Sequence, residues 1–216
     1  MKVTIKGTGQ SIDLTQRDYV GAGGEGCVYA RGNVAYKIYH DPKRMLPIGK
    51  IQELQAIQNP HVVRPLEVLL DSKGTPIGYT TKFVPKAWTL CQLFPPVFRK
   101  REGITPDITR ELVQRLQEHV GSIHKAGILV VDMNEMNFLV TDNAKEIFCI
   151  DVDSYQTPHY PAPALMESVR DWSVQNHQWT ELSDWYSFGI LSFQMFIGIH
   201  PFKGRYKGTQ IEYKAK

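Results

Sequence analysis

Apolar positions along this chain keep two different periods. Near the start, Val3 and Ile5 alternate with polar residues, and Thr8-Gly9-Gln10-Ser11 reads as a hairpin turn. Val28-Tyr29-Ala30 and the run from Val34 to Tyr39 form a second strand pair, joined by Arg31-Gly32-Asn33. Residues 48–57 carry Ile51, Leu54 and Ile57 at helical spacing, and Asn59-Pro60 stops that helix. Two more strands are expected over 62–70 and 77–84, separated by Asp71-Ser72-Lys73-Gly74. After Pro85 the period becomes helical. Residues 108–125 place Leu112, Leu116, Val120 and Ile123 on one face of an amphipathic helix. Short apolar runs at 138–140 and 147–150 flank the turn Thr141-Asp142-Asn143, and 183–197 is apolar nearly all round, which predicts a buried helix. Strands first and helices later is an α+β pattern in two lobes, 1–84 and 85–216.

Composition narrows this picture only a little. Of 216 residues, 42% are hydrophobic and 22% charged, which places the chain among globular proteins and argues against disorder. A net charge of +3 is too small to argue for a nucleic-acid partner, and the basic residues Lys203, Arg205, Lys207, Lys214 and Lys216 read as a solvated tail. Cys27, Cys91 and Cys149 are widely spaced without a Cys-x-x-Cys, so no disulfide or zinc framework is expected and a reducing, cytoplasmic setting is. The first residues lack the apolar core of a leader, and no apolar run is long enough to span a bilayer.

Four stretches carry candidate chemistry. Gly21-Ala22-Gly23-Gly24-Glu25-Gly26-Cys27-Val28 fits G-x-G-x-x-G-x-V, in which glycines let the backbone approach phosphates and donate N–H groups. Alone it is weak, but the residues after it are of β type, which favours a strand-flanked loop over a dinucleotide-binding turn. Lys37, one strand further on, can reach phosphates, and Glu53 is the natural acidic partner as the only acid of the next helix. Asp132 and Asn137 sit five residues apart, the combination that phosphoryl transfer needs to orient an attacking hydroxyl and to offer an amide oxygen to Mg²⁺. Asp151, after a short strand, can bridge Mg²⁺ to nucleotide phosphates. Each stretch alone would more often be a plain turn or a solvated side chain.

In this order, the four motifs resemble the signature set of the protein kinases. Ser183-Asp184-Trp185-Tyr186-Ser187-Phe188-Gly189 and Gly198-Ile199-His200-Pro201-Phe202 look like the central-helix motif of that family and its following Pro-Phe. The wording Asp151-Val152-Asp153-Ser154 resembles a bacterial and phage branch in which Asp-x-Asp-Ser replaces Asp-Phe-Gly. The resemblance implies a two-lobed fold with ATP and Mg²⁺ as cofactors. Gly21, Gly23, Gly24 and Gly26 would cover the phosphates and Lys37, with Glu53, would bind them. Val28 and Ala35 would pack on adenine, Thr81 would be the gatekeeper, and Lys82, Phe83 and Val84 the hinge. Asp132 would be the catalytic base, Asn137 and Asp151 the metal ligands, and Asp184 a brace for the catalytic loop.

Departures from the family pattern are local. Val130-Val131-Asp132 stands for His-Arg-Asp, and Asn134 for the usual lysine two after the base. Pro163-Ala164-Leu165-Met166-Glu167 is the nearest approach to Ala-Pro-Glu. Only 14 residues follow Phe202, so the helical lobe is expected to be shortened, with the far face of the 184–197 helix covered by a homo-oligomer contact or by a missing C-terminal segment. The expected function is phosphoryl transfer from ATP to serine or threonine of an unidentified protein substrate. The alternatives are a pseudokinase that binds a nucleotide or a partner, and a small-molecule phosphotransferase of the aminoglycoside or choline type.

Overall fold

The computed structural model describes residues 1–162, 166–176 and 178–203. The chain packs as two units. One comprises Met1–Gln58 and Val63–Pro85, and the other takes Asn59–Val62 together with the chain from Lys86 onward.

The first unit is built on one antiparallel sheet. Its strands are β1 (Lys2–Ile5), β2 (Ser11–Asp13), β3 (Tyr19–Ala22), β4 (Gly26–Arg31), β5 (Val34–Tyr39), β6 (Val68–Leu70) and β7 (Pro76–Lys82), in the spatial order β2-β1-β6-β7-β5-β4-β3. Side chains alternate across a sheet. Val3, Ile12, Leu14, Tyr36, Ile38, Leu69 and Ile77 therefore gather into one buried cluster. The opposite face carries Val28, Ala35, Lys37, Tyr79 and Thr81, because Val28 pairs with Lys37, Lys37 with Tyr79, and Ala35 with Thr81. A short helix, α1 (Ile48–Leu54), buries Ile51 and Leu54.

Two expectations for this unit are corrected. The strand expected over 62–70 is confined to Val68–Leu70. Pro65 has no N–H for a ladder, and Val62 instead bridges Cys149 in the other unit's own set of residues. The helix expected to reach Ile57 ends at Leu54, with Ile57 held by a single turn bond to the Leu54 carbonyl.

The second unit holds β8 (Ala87–Thr89), α2 (Pro96–Glu102), α3 (Pro106–His124), β9 (Phe138–Thr141), β10 (Ile147–Cys149) and α4 (Glu181–Ile197). α3 begins at Thr105, whose hydroxyl accepts from the Ile108 N–H, with Pro106 in the first turn where its missing N–H is not needed. It packs on α4 and β10. α4 is capped by Thr180 and stopped by Gly198, which takes a left-handed φ of 83°.

β8 lies where only helices were expected, and α2 is a helix that the sequence pattern did not single out. β8 is recruited by β9, which places Trp88 opposite Val140, and α2 starts on Pro96 and ends on left-handed Gly103. The buried-helix expectation for 183–197 also needs correction. Ile190, Leu191 and Met195 are buried, but among the described residues Leu182, Phe193, Phe196 and Ile197 form an exposed side. The expected basic tail beyond Lys203, and Pro163 to Leu165, lie outside the described residues. No helix among the described residues is long and apolar enough to cross a membrane.

Candidate active site

In the first unit, the glycine motif forms the turn between β3 and β4. The Gly23 N–H donates to the Gly26 carbonyl at 2.9 Å, and the His40 N–H donates to the Glu25 carbonyl at 2.9 Å, which ties the turn to the end of β5. Gly26 has a structural reason to be glycine, because a Cβ there would run into the Ile38 carbonyl. Gly21, Gly23 and Gly24 have none: no described atom lies within 4 Å of an added Cβ, and none of the three has a positive φ.

Lys37 projects from the Val28–Ala35–Thr81 face. Its ammonium lies 3.4 Å from Glu25 and stands over the rings of Tyr39 and Tyr79, 5.2 and 5.8 Å from their centroids. Glu25 was not singled out in the sequence, although it lies inside the glycine motif. Glu53 is half-buried on α1. Thr81 donates its hydroxyl to the Arg64 carbonyl at 3.0 Å. The Phe83 N–H donates to the Asn33 carbonyl at 2.8 Å, so that N–H is already engaged within the first unit. That bond continues the β5–β7 ladder one residue past Lys82, so it follows from strand register.

In the second unit the site is a knot of hydrogen bonds. Asp184, fully buried at the start of α4, accepts from the Val130 N–H at 2.8 Å, the Val131 N–H at 2.9 Å and the His124 ring at 2.9 Å. These bonds hold Val131 at φ 61°, rare for a β-branched residue, while the Asp132 N–H closes a tight turn onto the Val130 carbonyl at 2.8 Å. The chain thereby turns sharply and presents Asp132. Asp132 Oδ2 accepts from the Asn134 side-chain amide at 2.9 Å, and Oδ1 accepts from the Met166 N–H at 2.8 Å. Asn137 donates its amide to the Asp132 carbonyl at 2.9 Å.

Asn137 also accepts, through its own carbonyl, from the Ile150 N–H at 2.9 Å. That bond brings Asp151, the next residue, to the same place. Asp151 is exposed and itself left-handed, at φ 56°. Beneath it, burial holds the Cys149 thiol up to about 12 and the Tyr155 phenol well above its ordinary range, so both stay neutral. Asn137 and Asp151 carry hard oxygen donors of the kind that could hold Mg²⁺.

No protein-family model and no curated protein matches the chain. Solved structures do match. One is a ROP18 kinase domain in complex with AMP-PNP and sucrose, 15% identical, with a TM-score of 0.66 over 93% of this chain and 68% of that one. The chain therefore has a protein-kinase-like fold.

Proposed function

We propose that this chain transfers the γ-phosphoryl group of ATP to a hydroxyl, and that the acceptor is a serine or threonine of a protein. The observation that carries the reading is the set Asp132, Asn137 and Asp151. Asn137 ties them together by holding the Asp132 carbonyl and receiving the N–H of the residue before Asp151. A base and two oxygen ligands are what phosphoryl transfer asks of a protein. In this reading the glycine turn and Lys37 take the phosphates, Val28 and Ala35 pack on the base, and the backbone of Lys82 and Val84 reads its edge. Asp132 accepts the proton of the acceptor hydroxyl as the new oxygen–phosphorus bond forms and the bond from the γ-phosphorus to the bridging oxygen breaks, with ADP leaving. Mg²⁺, held by Asn137 and Asp151, would neutralise phosphate charge.

Glycines at Gly21, Gly23 and Gly24 without a structural need support close approach by a ligand. The AMP-PNP held by the similar ROP18 kinase domain supports the nucleotide class. The glycine motif with its Val28, and the segment from Asp184 to Phe202, favour a protein acceptor over a small metabolite. A chain that binds nucleotide without transferring anything is favoured by one observation, Asn134 standing where the resemblance implies a lysine.

The test is incubation with Mg²⁺ and ATP labelled at the γ-phosphate, offering dephosphorylated casein, aminoglycosides and choline in parallel. Label on serine or threonine is expected. Label only on a small molecule, or none on any acceptor, would overturn the proposal.

A further inference from the structure

We propose that Asn134 and the backbone N–H of Met166 form a two-sided clamp that aims the Asp132 carboxylate at its acceptor. This rests on the phosphoryl-transfer reading above. A carboxylate offers about four lone-pair sites on two oxygens. Asn134 takes one on Oδ2 at 2.9 Å and Met166 takes one on Oδ1 at 2.8 Å, with the Asn137 amide at the outer limit of Oδ2, 3.5 Å away. Rotating the carboxylate about its own axis breaks both bonds, so its plane is fixed, while a site on each oxygen remains for a hydroxyl.

Both arms are themselves anchored. Asn134 is 2% exposed, and its own oxygen accepts from the Met136 N–H at 2.8 Å, which fixes which end of the amide faces Asp132. Met166 precedes a 3₁₀ turn, Glu167–Val169, that is pinned to α4 and its C-terminal end. Ser187 donates to the Val169 carbonyl at 2.6 Å and His200 donates to the Ser168 carbonyl at 2.7 Å. α4 also carries Asp184, which holds the Val130–Val131 turn. One helix thus sets both the position of Asp132 and the arm that orients it. A lysine at position 134 would bring a cation to the phosphates, whereas Asn134 brings a neutral donor to the base. Asn134 and Met166 are positioning residues.

The test compares four variants of the full chain with the wild type. Asn134→Asp keeps the acceptor for the Met136 N–H but sets a carboxylate oxygen against Oδ2. Met166 sits at φ −71°, which a proline ring accommodates, so Met166→Pro removes the N–H that Met166→Ala keeps. The expected result is a fall in kcat of about tenfold or more for Asn134→Asp, and for Met166→Pro relative to Met166→Ala, with KM for Mg-ATP within about threefold, since the base acts on the acceptor. Wild-type kcat in Asn134→Asp, or Met166→Pro as fast as Met166→Ala, overturns the clamp. A Met166→Pro faster than Met166→Ala does so too, because the contact is then a brake.

A readout independent of transfer is amide hydrogen exchange at Met166. Exchange should be about tenfold faster or more in Asp132→Ala than in the wild type, reflecting loss of the bond. Unchanged exchange overturns the clamp whether or not the chain transfers phosphate, and this arm decides if a loop variant fails to fold. A wild type that transfers nothing, yet whose Met166 amide is protected by Asp132, retains the clamp and overturns the phosphoryl-transfer reading instead.

Discussion

At Gly21, Gly23 and Gly24 the fold makes no demand for glycine, whereas at Val131 it holds a β-branched residue in a conformation where glycine would sit more easily. The glycine turn of the first unit is open, and its backbone needs no special φ. The turn around Asp132 in the second unit is closed, strained and saturated with hydrogen bonds to Asp184. In both places the residue type disagrees with what local backbone preference would choose, in opposite directions. Such conflicts concentrate where chemistry, not folding, selects the residue. The glycine turn leaves room for something to approach, and the Asp132 turn is held in place before anything arrives.

The largest loss is expected for Asp184→Ala. It leaves two buried backbone donors and the His124 ring without their shared acceptor, and should destabilise the protein by about 3–5 kcal/mol. Denaturant unfolding reads this, and a loss of under about 1 kcal/mol would mean the turn holds its shape unaided.

Next come two glycine substitutions that differ by only three positions. Gly26→Ala forces a methyl into the Ile38 carbonyl and should cost about 1–3 kcal/mol. Gly23→Ala should leave stability within about 0.5 kcal/mol, as for an unremarkable surface site. On the proposed function it should still weaken Mg-ATP binding, and equal unfolding midpoints for the two variants would erase the distinction.

The smallest expected effect concerns pH. Burial, reinforced by the stacked His61 ring, lowers the proton affinity of His119 below its ordinary value. His119 accepts from the Asn59 amide and donates to the Ile147 carbonyl, with Glu146 paired to His61 and Glu118 nearby. The unfolded chain therefore takes up this proton first. Its contribution to stability is complete above about pH 6.5 and is lost as pH falls further. His119→Gln should flatten the decline in Tm between about pH 7.5 and 5.5. An unchanged slope would place the acid sensitivity elsewhere.

Much of this was legible in the sequence where a period or a turn signal ran long enough. α3 could be read from Leu112, Leu116, Val120 and Ile123 because about three turns of one face leave little ambiguity. The β4–β5 hairpin was legible from the two β-type runs on either side of Arg31-Gly32-Asn33. β8, three residues long, was not, since Ala87-Trp88-Thr89 becomes a strand only when β9 supplies a partner. Asp132, Asn137 and Asp151 could be named from spacing. Their bonds could not, because the Met166 contact spans 34 residues and uses a backbone N–H that carries no residue signature. For the same reason the bond from the Phe83 N–H to the Asn33 carbonyl, which follows from strand register, could not be read from residue types. Asn134 looked like an absence, a missing lysine, until its amide was found on Asp132.

On the proposed function Asp132 and Asp151 do different work, and titration calorimetry with Mg-ATP on Asp132→Asn and Asp151→Asn, paired with a transfer assay on the same samples, separates the two roles. Asp151→Asn should lose about tenfold or more in Mg-ATP affinity, while Asp132→Asn should keep its affinity within about threefold and lose roughly 10²-fold or more in transfer. Equal Mg-ATP affinity in Asp151→Asn and the wild type would contradict this division of roles.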